Sequence, residues 1–186
     1  MKGVVFNLLE DFITEGWGAD AYEDILSRCP LHTREPFIGP STYPDADLLA
    51  LVGKTCERLG VSTTDALHAF GRFLFPRLAE KVPSFLHGHV HPRTFLKTVD
   101  DVIHVEVKKL FKGALTPRIT WEDGPDDTLV LHYQSSRKMC ALFTGLLAGA
   151  GEHFHVPLEW SETACMHRGA ERCSFDVTFV AAEVAA

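Results

Sequence analysis

Apolar residues in this chain recur at helical spacing as far as Gly113, and beyond it two stretches place them at every second position. That change of period constrains the fold more than any other feature, because a 3.6-residue stripe and a two-residue alternation bury different kinds of face. Val5, Leu8, Leu9, Phe12 and Ile13 mark a first helix that stops near Gly16 and Gly18, and residues 19–28 read as a short second one. Pro30, Pro36, Gly39, Pro40 and Pro44 then break the chain into an irregular connection. Leu48, Leu49, Val52, Cys56 and Leu59 predict a third helix closed by Gly60. Ser62, with Asp65 three residues on, predicts the start of a fourth whose face carries Leu67, Phe70, Phe73, Leu74 and Leu78. Residues 83–92 read as loop, and 93–112 as one continuous helix with Phe95, Val99, Val102, Ile103, Val107 and Leu110 as its stripe. Past Gly113, residues 118–122 and 128–133 alternate as two strands joined through Asp123-Gly-Pro-Asp-Asp127. A helix over 139–150 follows, with Gly145, Gly149 and Gly151 suited to close packing against a flat partner, and then strands over 156–161 and 174–180. Helices first and strands later, around one helix, predict a single α+β domain over 1–186: an N-terminal helical bundle and a C-terminal antiparallel sheet with an intervening helix.

Composition narrows the class of function. A net charge of −7 and a pI near 5.8, with no run of Lys or Arg, argue against nucleic acid as a partner. No apolar run approaches the roughly 20 residues that a membrane span needs. The chain opens Met-Lys-Gly and enters an amphipathic pattern at once, so no signal peptide is expected and the predicted location is the cytoplasm. Five cysteines, an odd number, suit reduced thiols or metal ligands better than a disulfide framework.

Three groups of residues carry candidate chemistry. Tyr133, Ser135 and Arg137 stand at i, i+2 and i+4, so in an extended chain a phenol, a hydroxyl and a guanidinium project to one side. Such a set suits one or two carboxylates or a phosphate, although a solvated strand edge displays the same residues. His87, His89 and His91 alternate in the loop and could share a metal if extended, yet no Asp, Glu or Cys stands nearby in sequence to complete a site. His104 sits at the boundary of its helix's apolar stripe, with Asp100 at i−4 and Lys108 at i+4.

Taken together, Tyr133-x-Ser135-x-Arg137 and a helical histidine just under thirty residues earlier resemble the heme nitric oxide/oxygen binding (H-NOX) family, in the stand-alone bacterial form without a distal tyrosine. The likeness covers nearly the whole chain. It implies a fold that encloses heme b, with His104 as the proximal iron ligand and Tyr133, Ser135 and Arg137 on the propionates. It also implies that Pro117 presses on a pyrrole, and that Asp45 is the acidic partner of Arg137. On the distal side, Leu142 stands where oxygen-binding members carry a tyrosine, and Leu9 where one may carry a tryptophan. With Val5 and Leu146 these make an apolar wall, so the resemblance implies binding of NO and CO but not O2. In such proteins NO weakens the iron–imidazole bond, freeing the His104 helix to signal. The usual reader is a histidine kinase or a cyclic-di-GMP enzyme (diguanylate cyclase or phosphodiesterase).

Some members of the family hold a structural zinc through three cysteines and a histidine, and Cys140, Cys165 and Cys173 match the cysteines. The usual histidine is replaced by Ser161 and Glu162, which leaves His167 or Glu162 as the fourth ligand and suggests thiol redox sensing beside gas sensing. A hairpin of free thiols is the alternative. No catalytic residues are expected. The competing readings are a metal-dependent enzyme built on His87, His89 and His91, and a heme-free module that binds a small ligand.

Overall fold

The computed structural model describes residues 1–33 and 36–180. Helix α1 spans Gly3–Trp17 and buries Phe6, Leu9 and Ile13; Gly18 ends it at φ 89°, a conformation that side chains resist. Helix α2 is Ala19–Ser27 and α3 is Asp45–Leu59, which Gly60 closes in the left-handed conformation at φ 68°. Helix α4 runs from Thr63 to Lys81, and its cap is the expected one, with the Asp65 N–H donating to Ser62 Oγ at 3.1 Å. Strands β1 (Arg118–Asp123) and β2 (Leu129–Gln134) form a hairpin. Helix α7 (Cys140–His153), numbered after two short helices described below, separates it from β3 (Leu158–Ala164) and β4 (Cys173–Phe179). The sheet is antiparallel throughout, in the order β1-β2-β4-β3, as the helices-then-strands pattern predicts.

Residues 93–112 depart from the single helix expected. They divide into α5 (Pro92–Leu96), a π-helical turn over Val99–Ile103, and α6 (His104–Leu110). The Thr98 carbonyl accepts from both Val102 N (3.0 Å) and Ile103 N (3.2 Å), so the chain slips there from i+4 to i+5 bonding. Val99, Val102, Ile103, Val105 and Val107 are β-branched and weaken an α-helix, so a local slip costs little. No residue of the turn or of α6 is buried, and Val102 and Leu110 of the expected stripe are exposed. Upstream the chain is pinned. Arg93 and Lys97 both reach the Asp123 carboxylate, at 2.7 and 2.6 Å, and Trp121 Nε1 donates to the Lys97 carbonyl at 3.0 Å.

Two hydrophobic cores flank the helix pair α4 and α7. The first gathers Phe6, Leu9, Ile13, Leu48 and Leu51 with Phe70 and Leu74 of α4. The second gathers Leu129, Leu131, Phe175 and Val177 of the sheet with Phe75 of α4 and Phe143 and Leu147 of α7. On the opposite face of the sheet, His132 is buried but satisfied, its ring nitrogens 2.9 Å from Ser174 Oγ and 2.9 Å from Glu122 Oε1. Helices α4 and α7 meet at Gly71 and Gly145. A Cβ on Gly145 would lie 2.1 Å from the His68 carbonyl oxygen, and one on Gly71 2.3 Å from that of Leu142. The close partner of Gly145 and Gly149 is therefore another helix, not the flat partner expected, whereas a Cβ on Gly151 would lie 2.9 Å from the Val156 carbonyl oxygen and close to Leu158 at the start of β3. Gly145→Ala must push the helices apart and should lower stability by about 1–3 kcal/mol in urea or thermal unfolding.

The start of α3 carries a fully buried carboxylate, Asp47. Burial alone would raise its pKa, but the His32 N–H (2.9 Å), the His32 ring (2.7 Å) and the Thr33 N–H (3.1 Å) outweigh burial and hold it below the usual value. A carboxyl depressed in this way stabilises the fold fully above its unfolded pKa of about 3.9, and that contribution disappears as pH falls through the folded value. Asp47→Asn should cost about 1–3 kcal/mol near neutrality. The gap to wild type, measured by urea unfolding, should be clearly smaller at pH 3 than at pH 5.

Candidate functional site

Helices α4 and α7 enclose a cavity of about 260 Å³ with the sheet and the turn before α6. Most of its lining is aliphatic or aromatic, including Leu78, Val82, Phe95, Leu142 and Leu146. The polar lining side chains are four: His104, Tyr133, Ser135 and Arg137. A second cavity of about 480 Å³ lies against the same His104, Pro117 and Arg137 and reaches Val5 and Asp45. Leu9 lines neither; it is packed into the first core at 2% exposure.

The three residues of the motif reach the cavity by a route the alternation did not predict. Strand β2 ends at Gln134, and the chain then turns, with Lys138 N bonding to the Ser135 carbonyl at 3.1 Å and Arg137 N to Ser135 Oγ at 3.2 Å. Tyr133 stacks on Phe143 with ring centroids 5.1 Å apart. Burial raises its pKa, against hydrogen bonds with the Ser135 side chain and the Met139 backbone, so the phenol stays protonated. Arg137 pairs through Nε with Asp45 Oδ2 at 2.8 Å and through Nη1 with the Leu115 carbonyl at 2.7 Å. Asp45 also accepts from the Met1 amino group at 2.6 Å. Burial pushes its carboxyl up, but these two cations more than compensate and hold it ionised below the usual range.

His104 opens α6 and is mostly shielded, with Nδ1 3.0 Å from Asp100 Oδ1. Burial lowers its pKa below the ordinary value despite Asp100, so the imidazole is neutral at pH 7. A neutral ring with one nitrogen hydrogen-bonded and the other available is the state in which histidine ligates a metal.

The lining suits a large apolar disc with anionic edges. Apolar walls accept the disc, one imidazole stands at the wall, and a phenol, a hydroxyl and a guanidinium lie together where carboxylates need partners. Thr116 Oγ1, in the wall of the second cavity beside Pro117, is the one buried side-chain polar atom among the described residues without a partner. A hydroxyl left unpaired beside Arg137 is consistent with a polar ligand group there. No spacing rule singled out Thr116; only its lack of a partner in the folded chain marks it.

The remaining candidates separate. His89 Nδ1 lies 3.2 Å from Thr94 Oγ1, whereas His91 Nδ1 accepts from Arg93 N and its ring packs on Phe179. The histidines at 87, 89 and 91 form no metal-holding group; among the described residues such a group is Cys140, Glu162, Cys165 and Cys173, whose ligand atoms lie within 4.8 Å of one another. Cys165 and Cys173 are buried with Sγ atoms 3.9 Å apart. Ligands bound at about 2.3 Å to one tetrahedral ion would lie about 3.8 Å apart. Burial and the nearby Cys173 and Cys165 push the Cys140 thiol up to about 12. His167 stands outside the cluster, its Nε2 2.8 Å from the Lys138 carbonyl. Glu162, the alternative fourth ligand, is the one the fold brings in.

Comparison with known proteins agrees with this geometry. The family model described as Haem-NO-binding matches residues 2–162. An H-NOX protein of Shewanella oneidensis, solved in its Fe(II)NO ligation state, is 30% identical and superposes with a TM-score of 0.92 over 97% of this chain and 100% of that one. An unliganded Fe(II) H-NOX protein from K. algicida, 24% identical, has the same fold, with a TM-score of 0.90 over 98% of each chain. A soluble guanylate cyclase of Caenorhabditis elegans, gcy-32, is 26% identical over an alignment of 143 residues that covers 74% of this chain; the match spans about a fifth of that protein's length. No helix among the described residues is long and apolar enough to cross a membrane. The chain belongs to the Haem-NO-binding (H-NOX) family, whose domains are sensor modules and not catalysts.

Proposed function

We propose that residues 1–186 act as one H-NOX domain that senses nitric oxide through heme b in the cytoplasm. The observation that carries this reading is the convergence of His104, Tyr133, Ser135 and Arg137 on one otherwise apolar cavity. Heme supplies a ferrous iron that takes up diatomic gases. His104 offers the axial imidazole, and Tyr133, Ser135 and Arg137 offer two hydroxyl donors and a guanidinium to the propionates. Among the described residues no acceptor pairs with Arg137 Nη2, which leaves that end for an incoming carboxylate. Pro117 supplies a rigid wall beside His104. Leu142 and Leu146 line the cavity without a hydrogen-bond donor, which disfavours a bound O2 and leaves NO and CO as ligands. Val5 bounds the second cavity only, and Leu9 supports the wall from within the helical core.

The signalling segment is the π-helical turn with α6. It contains no fully buried residue, and its packing on the second core is through the partly buried Val99 and Ile103, which is what would oppose its movement once His104 is no longer held. A histidine kinase or a cyclic-di-GMP enzyme is the partner class that would read that movement. Protein purified with available heme should show a Soret band that does not change to an oxy spectrum in air but shifts on adding NO. His104→Gly should lose the iron–imidazole band and the regulation of the partner, and added imidazole should restore the band. A colourless wild-type protein or a stable oxy complex would overturn the reading.

The thiol cluster supports a second element, a zinc held by Cys140, Cys165 and Cys173 with Glu162 as fourth ligand. Burial first and the neighbouring Cys173 and Cys165 second raise the pKa of Cys140, and a divalent ion would oppose both by favouring thiolates. Thiolate oxidation would then release the metal and couple the cluster to redox conditions. Protein prepared without chelator should hold about one zinc per chain. Glu162→Ala should reduce that content and His167→Ala should not; less than about half an equivalent in wild type would remove the site.

A further inference from the structure

The proximal histidine has a partner on its own helical segment. Asp100 Oδ1 lies 3.0 Å from His104 Nδ1, and the two side chains are 25% and 14% exposed. Both are shielded enough that a charge-assisted bond between them is stronger than a surface pair would be. Asp101, the next residue, is exposed, and Lys108 on the following turn acts on His104 in the opposite sense to Asp100. The Pro117 backbone carbonyl is the other acceptor near the ring. With Nδ1 donating to a carboxylate, Nε2 is the nitrogen that would ligate a metal, in place of any contact with the Pro117 carbonyl.

The backbone gives the pair a further property. Asp100 belongs to the π-helical turn, downstream of the chain pinned by Arg93 and Lys97, while His104 begins α6, and the His104 N–H bonds to the Val99 carbonyl across that turn. The carboxylate therefore sits on the side of the junction that is anchored to the hairpin, and the imidazole on the side that is free. Conversion of the turn to α-helical bonding would shift the two relative to each other.

Building on the heme reading above, we propose that Asp100 is a positioning residue for the axial imidazole: by accepting the Nδ1 proton it orients the ring and strengthens electron donation from Nε2, and so sets how readily the iron–imidazole bond yields to nitric oxide. A purely structural Asp100 would matter for folding and not for the electronic properties of the iron. The carboxylate acts through His104 and touches neither heme nor gas.

The test compares ferrous wild-type holoprotein with Asp100→Asn, Asp100→Ala, Asp100→Glu and Asp101→Asn by resonance Raman spectroscopy and redox titration. In Asp100→Asn and Asp100→Ala the iron–imidazole stretching band should fall in frequency and the midpoint potential should rise. The rate at which the imidazole leaves after NO is added should increase about tenfold or more. Asp100→Glu should recover part of the change, and Asp101→Asn should match wild type. If wild type shows the band but the Asn and Ala variants leave band and potential unmoved, or if Asp101→Asn moves them equally, this inference fails while the heme reading stands. A wild-type protein with no iron–imidazole band overturns both.

Discussion

The approach of α4 and α7 at Gly71 and Gly145 is the constraint from which the rest of the architecture follows. With no side chain at either position the two backbones come into direct contact, and any Cβ would meet a carbonyl oxygen well inside contact distance. The crossing locks the N-terminal helical core to the core beneath the sheet, because Phe70 and Leu74 serve one while Phe75, Phe143 and Leu147 serve the other. The close approach continues one turn on, where a Cβ on Gly149 would lie 2.6 Å from Phe75 Cβ. The apolar cavity lies beside this contact, lined by Phe75 and Leu78 of α4 and Leu142 and Leu146 of α7.

The cavity's polar side is built from elements that are held unequally. Arg137 is fixed by Asp45 from the start of α3 and by the Leu115 carbonyl, so one ion pair ties the N-terminal helices to the turn after β2. Tyr133 is held by the sheet and by stacking on Phe143. His104 instead pairs within its own segment, with Asp100, at the junction of a π-helical turn and a short helix without buried residues. The grip is tied to α3 and to the sheet, whereas the histidine's partner lies on the same short stretch of chain. That division suits a sensor, in which one wall must hold a cofactor while another responds to what the cofactor has bound.

The thiol cluster adjoins the same grip. Cys140 follows Arg137 by three residues, Cys173 is paired across the sheet with Tyr133, and His167 holds the Lys138 carbonyl between them.

The order of helices and strands, the cap at Ser62, the turn after Asp123 and the residues of the grip are legible along the chain, because periodicity, turn chemistry and a spaced motif are local. The sequence did not reveal the break in 93–112. Helical spacing survives a one-residue slip, and Thr98 bonds both four and five residues ahead just downstream of Arg93 and Lys97, which only the fold pairs with the distant hairpin. The same reason explains why the α7 glycines, Leu9, Thr116 and the choice of Glu162 over His167 were beyond its reach. Each is decided by which backbone or side chain arrives from another part of the chain, and burial, unpaired hydroxyls and ligand clusters are properties of that arrival. His104 and the grip meet at one cavity only in the folded chain, because the packing of α4 and α7 with the sheet creates the space that they line.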